Sequence, residues 1–105
     1  MTGVELVSSD VYLKKLSRIR SGKPTRVLDL FAGCGGLSLG FHAAGFEIVG
    51  AVEFDPDAAR SHGLNFHPGQ AAHAQAIDIT ETGPDSLAAK LDLGQTDQAV
   101  DVIIG

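Results

Sequence analysis

One stretch constrains this chain more than any other. Arg26-Val27-Leu28-Asp29-Leu30-Phe31 is a short, nearly continuous apolar run, followed at once by Ala32-Gly33-Cys34-Gly35-Gly36. Leu37, Phe41 and Ala44 then recur at helical spacing, up to Gly45. An uninterrupted apolar strand is typical where both faces are covered, as in a parallel sheet. The glycines let the backbone turn tightly and approach a neighbour closely. Leu37, Phe41 and Ala44 fall on one face of the helix, and Gly45 is the expected residue to end it.

The rest of the chain repeats the alternation. Residues 4–20 read as a helix, with Tyr12, Leu13, Leu16 and Ile19 as its apolar side, and Ser21-Gly22-Lys23-Pro24 breaks it. Phe46 to Val52 is a second apolar strand that ends at Glu53. Asp55-Pro56-Asp57 opens a helix to about Asn65, with Asp55 as the cap and Pro56 where a missing N–H costs nothing. His67-Pro68-Gly69 is a turn, Ala74 to Ile77 a weak third strand ending at Asp78, and Gly83-Pro84-Asp85 opens a helix to about Leu91. Val100 to Ile104 is a fourth strand. Alternating strands and helices predict right-handed crossovers and a parallel α/β sheet. The expected organisation is an N-terminal helix and basic arm, 1–26, and one α/β unit, 27–105.

Composition removes several classes. With 105 residues the chain makes one small domain, and Cys34, its single cysteine, excludes both an intrachain disulfide and a cysteine-based zinc site. No apolar run is long enough to span a membrane, and the N-terminus does not read as a signal peptide, so a cytoplasmic location is expected. His42, His62, His67 and His73 have no metal-ligand spacing, so no metal is expected. Six of the eight basic residues lie between Lys14 and Arg26, whereas the chain from Val27 onward carries eleven acids against Arg60 and Lys90. The acidic body argues against this piece as the main phosphate-binding surface of a nucleic-acid protein. The basic arm reads as a solvated helix face rather than a phosphate contact.

In doubly wound sheets, ligands lie outside the carboxyl ends of the strands. That rule selects the loop after Phe31, the segment Glu53–Asp55, and Asp78–Ile79. The glycine loop between strand and helix suits a nucleotide-like cofactor. A carboxylate about 20 residues further on, at Glu53, sits where a ribose diol is held. Phe54 beside it can stack on an adenine or simply pack in the core. Asp78 can accept from an adenine amine, with Ile79 over the ring, or can cap the turn before Thr80. The dinucleotide fingerprint wants a glycine where this chain has Ser38, and the nucleotide-phosphate loop's Gly-Lys-Ser/Thr is missing. No lysine or arginine is near the loop, so an adenosine ligand with a positive centre, such as the sulfonium S-adenosylmethionine, suits the acidic pocket better than a pyrophosphate.

Asp29-Leu30-Phe31-Ala32-Gly33-Cys34-Gly35-Gly36-Leu37 resembles the first motif of the DNA (cytosine-5)-methyltransferases. Val52-Glu53-Phe54-Asp55 with Asn65-Phe66-His67-Pro68 is similar to their second motif region, Asp78-Ile79-Thr80 to their third, and Asp101-Val102-Ile103-Ile104-Gly105 to the strand leading into their fourth. The resemblance implies a Rossmann-like class I methyltransferase fold with a partial parallel sheet and helices on both faces. It implies S-adenosylmethionine as cofactor, held by Phe31, Ala32, Gly33, Cys34, Gly35 and Gly36, with Glu53 on the ribose and Phe54, Asp78 and Ile79 on the adenine. Asp29 would brace the loop. Cys34 fills a variable position of the motif and is not the family's nucleophile. That nucleophile, in a Pro-Cys motif after the fourth strand, would follow Gly105, so no catalytic residue is expected in this chain, only cofactor binding without catalysis. The implied reaction of the complete enzyme is methyl transfer to C5 of a flipped-out cytosine in double-stranded DNA, as in restriction-modification, with RNA the substrate of a minority of the family. The alternatives are a dinucleotide-binding oxidoreductase domain and a non-enzymatic interaction module. The fourth strand would be an apolar edge that pairs with the remainder of the methyltransferase or with a second copy.

Overall fold

The computed structural model describes residues 2–31, 33 and 35–105, with side chains from Asp10 onward. Helix α1 (Thr2–Arg20) leads into β1 (Arg26–Leu30), α2 (Gly36–Ala43), β2 (Glu47–Val52) and α3 (Pro56–Phe66). A short 3-10 helix (Ala71–Ala74), α4 (Pro84–Lys90), α5 (Thr96–Ala99) and β3 (Val102–Ile104) complete the order. The sheet is parallel, with β1 central between β2 and β3.

Helices cover both faces of this sheet. Leu28 and Leu30 of β1 pair with Gly50 and Val52 of β2, and this face meets α4. Leu28, Val52, Ile77, Leu87 and Leu91 form the buried apolar cluster there. Gly50 is needed for it, because a Cβ at that position would meet the Leu91 side chain at 2.7 Å. On the other face Asp29 reaches Ser38 of α2, which in turn meets His62 of α3.

The local signals act where they were read. Asp55 caps α3 by accepting from the Ala58 N–H at 2.9 Å, with Pro56 as the first helical residue. Gly45, just past the end of α2, takes φ 95°, the left-handed conformation that suits glycine at a helix end. The apolar face of α2 is a different matter. Ser38 is its one buried residue, while Leu37 and Leu39 are exposed.

Two expectations need correction. The segment Ala74–Ile77 forms no strand: the 3-10 helix occupies Ala71–Ala74, and a single ladder-like bond runs from the Ile77 N–H to the Glu53 carbonyl at 2.8 Å. Alanine-rich Ala71-Ala72-His73-Ala74 has little strand preference. It packs instead on Gly63 of α3, where a Cβ would lie 2.6 Å from the His73 carbonyl oxygen. The predicted fourth strand is therefore the third in the sheet, and α5 precedes it.

The basic arm is not simply a solvated face. Lys15 donates to the Val100 carbonyl at 2.5 Å, and Arg18 and Arg26 both bond the buried carboxylate of Asp101. Asp101 also accepts from the Arg26 backbone N–H at 2.8 Å. Three of the six clustered bases thus hold α1 and β1 to the segment entering β3. No helix is long and apolar enough to cross a membrane among the described residues.

Candidate cofactor site

The loop after β1 is bent by backbone conformation. Phe31 has φ 57°, Gly33 φ 56° and Gly35 φ 109°, all in the left-handed region. For Phe31 this conformation costs about 1 kcal/mol, and the ring is 70% exposed. Phe54, after β2, is 69% exposed. Neither aromatic ring packs in the core. Ala32 and Cys34, the other two loop residues expected at the cofactor, lie outside the described residues.

Glu53 joins the selected places. Its Oε1 accepts from the Gly33 N–H at 2.9 Å and its Oε2 from the Asp55 N–H at 3.0 Å. Its carbonyl accepts from Ile77, one residue before Asp78. The glycine loop, the end of β2 and the start of the Asp78 turn therefore meet around one residue, although the third of them follows no strand. The Glu53 carboxylate is half-buried, and each oxygen has a lone pair beyond its one backbone bond.

Asp78 and Ile79 are placed differently from each other. Asp78 accepts from both the Thr80 N–H at 2.9 Å and the Thr80 hydroxyl at 2.6 Å, through Oδ1 alone. Those two bonds hold its carboxyl below the usual range. It caps its turn and keeps Oδ2 outside those bonds. Ile79 packs against the apolar cluster on the α4 side.

Beneath the loop lies a buried polar chain that sequence reasoning did not assemble. Ser38, fully buried, donates to Asp29 Oδ2 at 2.5 Å and contacts His62 Nε2 at 2.9 Å. Asp29 and His62 are each 1% exposed. In the sequence Ser38 stands out only as the residue in place of a fingerprint glycine. The available signal was its place one turn into α2, where a hydroxyl can reach back to the strand.

Three histidines sit close together. His67 and His73 stack with ring centroids 3.9 Å apart, and burial followed by the neighbouring His73 and His62 lowers His67 to about 4. Burial also lowers His62 and His73. The three rings stay neutral to a lower pH in the fold than in the unfolded chain, and for His67 the unfolded chain takes up a proton between about pH 6.5 and 4 that the folded chain refuses. Stability should therefore be highest above pH 6.5 and fall on acidification towards pH 4, by about 2 kcal/mol from His67 alone. Urea midpoints measured at pH 7.5 and pH 4.5 check this, and equal midpoints would contradict it. Among the described residues no group of three His, Cys, Asp or Glu side chains is placed to hold a metal ion.

A cavity of about 1010 Å³ runs between α2 and α3, lined by Gly35, Leu39, His42, Ile48 and Phe66. It reaches Pro24 and Glu47, at the amino ends of the strands, and Glu53 does not line it. The exposed rings of Phe31 and Phe54 border the carboxyl-end site instead.

Comparison with known proteins follows the same residues. The sequence profile of C-5 cytosine-specific DNA methylases matches residues 25–105. The chain is 41% identical over 78 residues to the type II methyltransferase M.XorII of Xanthomonas oryzae pv. oryzae, covering 74% of this chain and 17% of that protein. It is 42% identical over 79 residues to the type II methyltransferase M.HgiDI of Herpetosiphon aurantiacus, covering 74% and 19%. Similarity to M.HgiGI of the same organism is 39% over 79 residues, covering 74% and 48%. The chain thus spans less than half the length of each of these relatives. No solved structure matches it.

Proposed function

The chain belongs to the C-5 cytosine-specific DNA methylase family, and we propose that residues 27–105 form its S-adenosylmethionine-binding unit, with residues 1–26 as a helical arm. The observation that carries this reading is the Glu53 carboxylate, fixed by the Gly33 and Asp55 amides at the carboxyl end of β2. Its remaining lone pairs can accept from two adjacent ribose hydroxyls. Phe31 and Phe54 offer exposed rings for an adenine, and Asp78 Oδ2 an acceptor for its amine. Ile79 completes the adenine side from its place on the core. Gly33, Gly35 and Gly36 let the backbone approach the ligand, with Ala32 before them and Cys34 among them.

The donor set fits a sulfonium. The carboxylates of Glu53, Asp55 and Asp78 lie at this end of the sheet, and Arg60 on α3 pairs with Asp57 at 3.1 Å. When bound, S-adenosylmethionine supplies an electrophilic methyl group. The residues of this chain bind and orient the cofactor; none is assigned to the chemical step. In the complete methyltransferase the methyl acceptor is C5 of a flipped cytosine in double-stranded DNA, and the setting is cytoplasmic restriction-modification. Calorimetry with S-adenosylmethionine and with NAD tests the reading. Binding of the first alone is expected; binding of NAD alone would sink it.

The edge of β3 extends this proposal. Ile103 is exposed there, and a strand edge presents unpaired N–H and C=O groups. It pairs with a further strand, from the remainder of the methyltransferase or from a second copy. Light scattering of the isolated chain should show dimers growing with concentration. Ile103→Lys should leave a monomer; dimers unchanged by that substitution would place the contact elsewhere.

A further inference from the structure

We infer that Asp29, Ser38 and His62 form a positioning relay for the glycine loop, in which His62 is a neutral Nε2–H donor. The loop has two stems. Asp29 lies in β1 just before it, and Ser38 lies in α2 just after it. The Ser38 hydroxyl joins the stems directly by donating to Asp29 Oδ2. A hydroxyl has one hydrogen, and the Asp29 carboxylate can only accept. The 2.9 Å contact between Ser38 Oγ and His62 Nε2 must then carry a hydrogen from the imidazole. This fixes one tautomer. His62 also supports the loop by shape, since a Cβ on Gly35 would meet Phe66 at 2.7 Å and the His62 ring at 3.2 Å. One ring on α3 therefore holds the loop from below while its nitrogen holds the hydroxyl between the stems.

The surroundings favour the uncharged ring. Asp29 faces it from β1, and its negative charge favours a charged ring. Burial and His73, from the 3-10 helix, oppose it, and their sum lowers the pKa. His67, at the end of α3, stacks on His73, and His42 of α2 lies across the Phe66 ring. The bearing of the relay on cofactor affinity rests on the proposed function, but its bearing on the loop does not.

Two readouts decide it. A long-range ¹H–¹⁵N spectrum of the unmodified chain at pH 7 should show His62 as the Nε2–H tautomer. The Nδ1–H tautomer, or an imidazolium, would overturn the assignment. Exchange of the Gly33 amide should quicken about tenfold in His62→Phe, which keeps a ring against Phe66 but loses the donor. In His62→Gln, whose side-chain amide can donate from a similar place, exchange should stay within about twofold of the parent. Equal exchange in all three chains overturns the relay, and if the phenylalanine variant does not fold, the tautomer alone decides. S-Adenosylmethionine should bind His62→Phe about tenfold more weakly than the parent, with glutamine restoring it. Equal affinities would overturn the link to the cofactor. A parent that binds none of it refutes the cofactor reading, while exchange and tautomer still judge the relay.

Discussion

Replacing Glu53 with alanine should weaken S-adenosylmethionine binding by about a hundredfold or more. A hydrogen bond to a charged group contributes about 1.5–3 kcal/mol, so losing two ribose bonds removes roughly 3 kcal/mol or more. The same change frees the Gly33 and Asp55 amides, which Glu53 holds at 2.9 and 3.0 Å. The loop then becomes less ordered before the ligand arrives, and ordering it on binding adds to the loss. Glu53→Gln separates the two effects. Its amide oxygen can accept from one backbone N–H, but its NH₂ group faces the other as a donor. An intermediate affinity is expected. Calorimetry on the three chains checks the order, and an alanine variant that binds like the parent removes Glu53 from the site.

Asp101→Ala should be the most damaging of the simple polar truncations, at about 3 kcal/mol of stability. The carboxylate is buried and bonded to Arg18, to the Arg26 side chain and to the Arg26 N–H. Its removal leaves two guanidinium groups, both partly buried, without their anion. Burial pushes the Asp101 carboxyl up, but the bonds and charge of Arg26 and the charge of Arg18 outweigh it and hold the group below its ordinary value. A carboxyl lowered in the fold stabilises above its unfolded pKa, near 3.9, and that contribution is lost as pH falls through the folded value. The acid limb should therefore have two stages, the histidines failing first and Asp101 below about pH 4. In Asp101→Ala the second stage should shrink, and protease should cut within α1 more readily. Denaturation curves that overlay those of the parent would refute the staple.

The readable parts of the sequence were those where a local rule decides the conformation. The apolar run before the glycines became the central strand, and Asp55-Pro56 became a capped helix start, because both depend on neighbours in the chain. The convergence of the loop with Glu53 followed from strand order, which alternation predicts. The misread parts depend on distant partners. Ala74–Ile77 looked like a strand by position, but Gly63 gives that backbone a closer seat on α3. Ser38 looked like a lost glycine, and only the fold puts Asp29 and His62 on either side of it. Lys15 and Arg18 looked solvated because their partners, Val100 and Asp101, are more than 80 positions away.

That separation has a consequence for synthesis. Arg18 and Asp101 are 83 positions apart, and the bond from the Arg26 amide to Asp101 closes over 75. At roughly 5–20 residues per second, Arg18 is made about 4–17 s before Asp101. Until then, neither the helix nor the outer edge of β1 has its native partner. The nascent chain must keep an apolar strand edge uncovered for that interval, the window in which a chaperone would meet it.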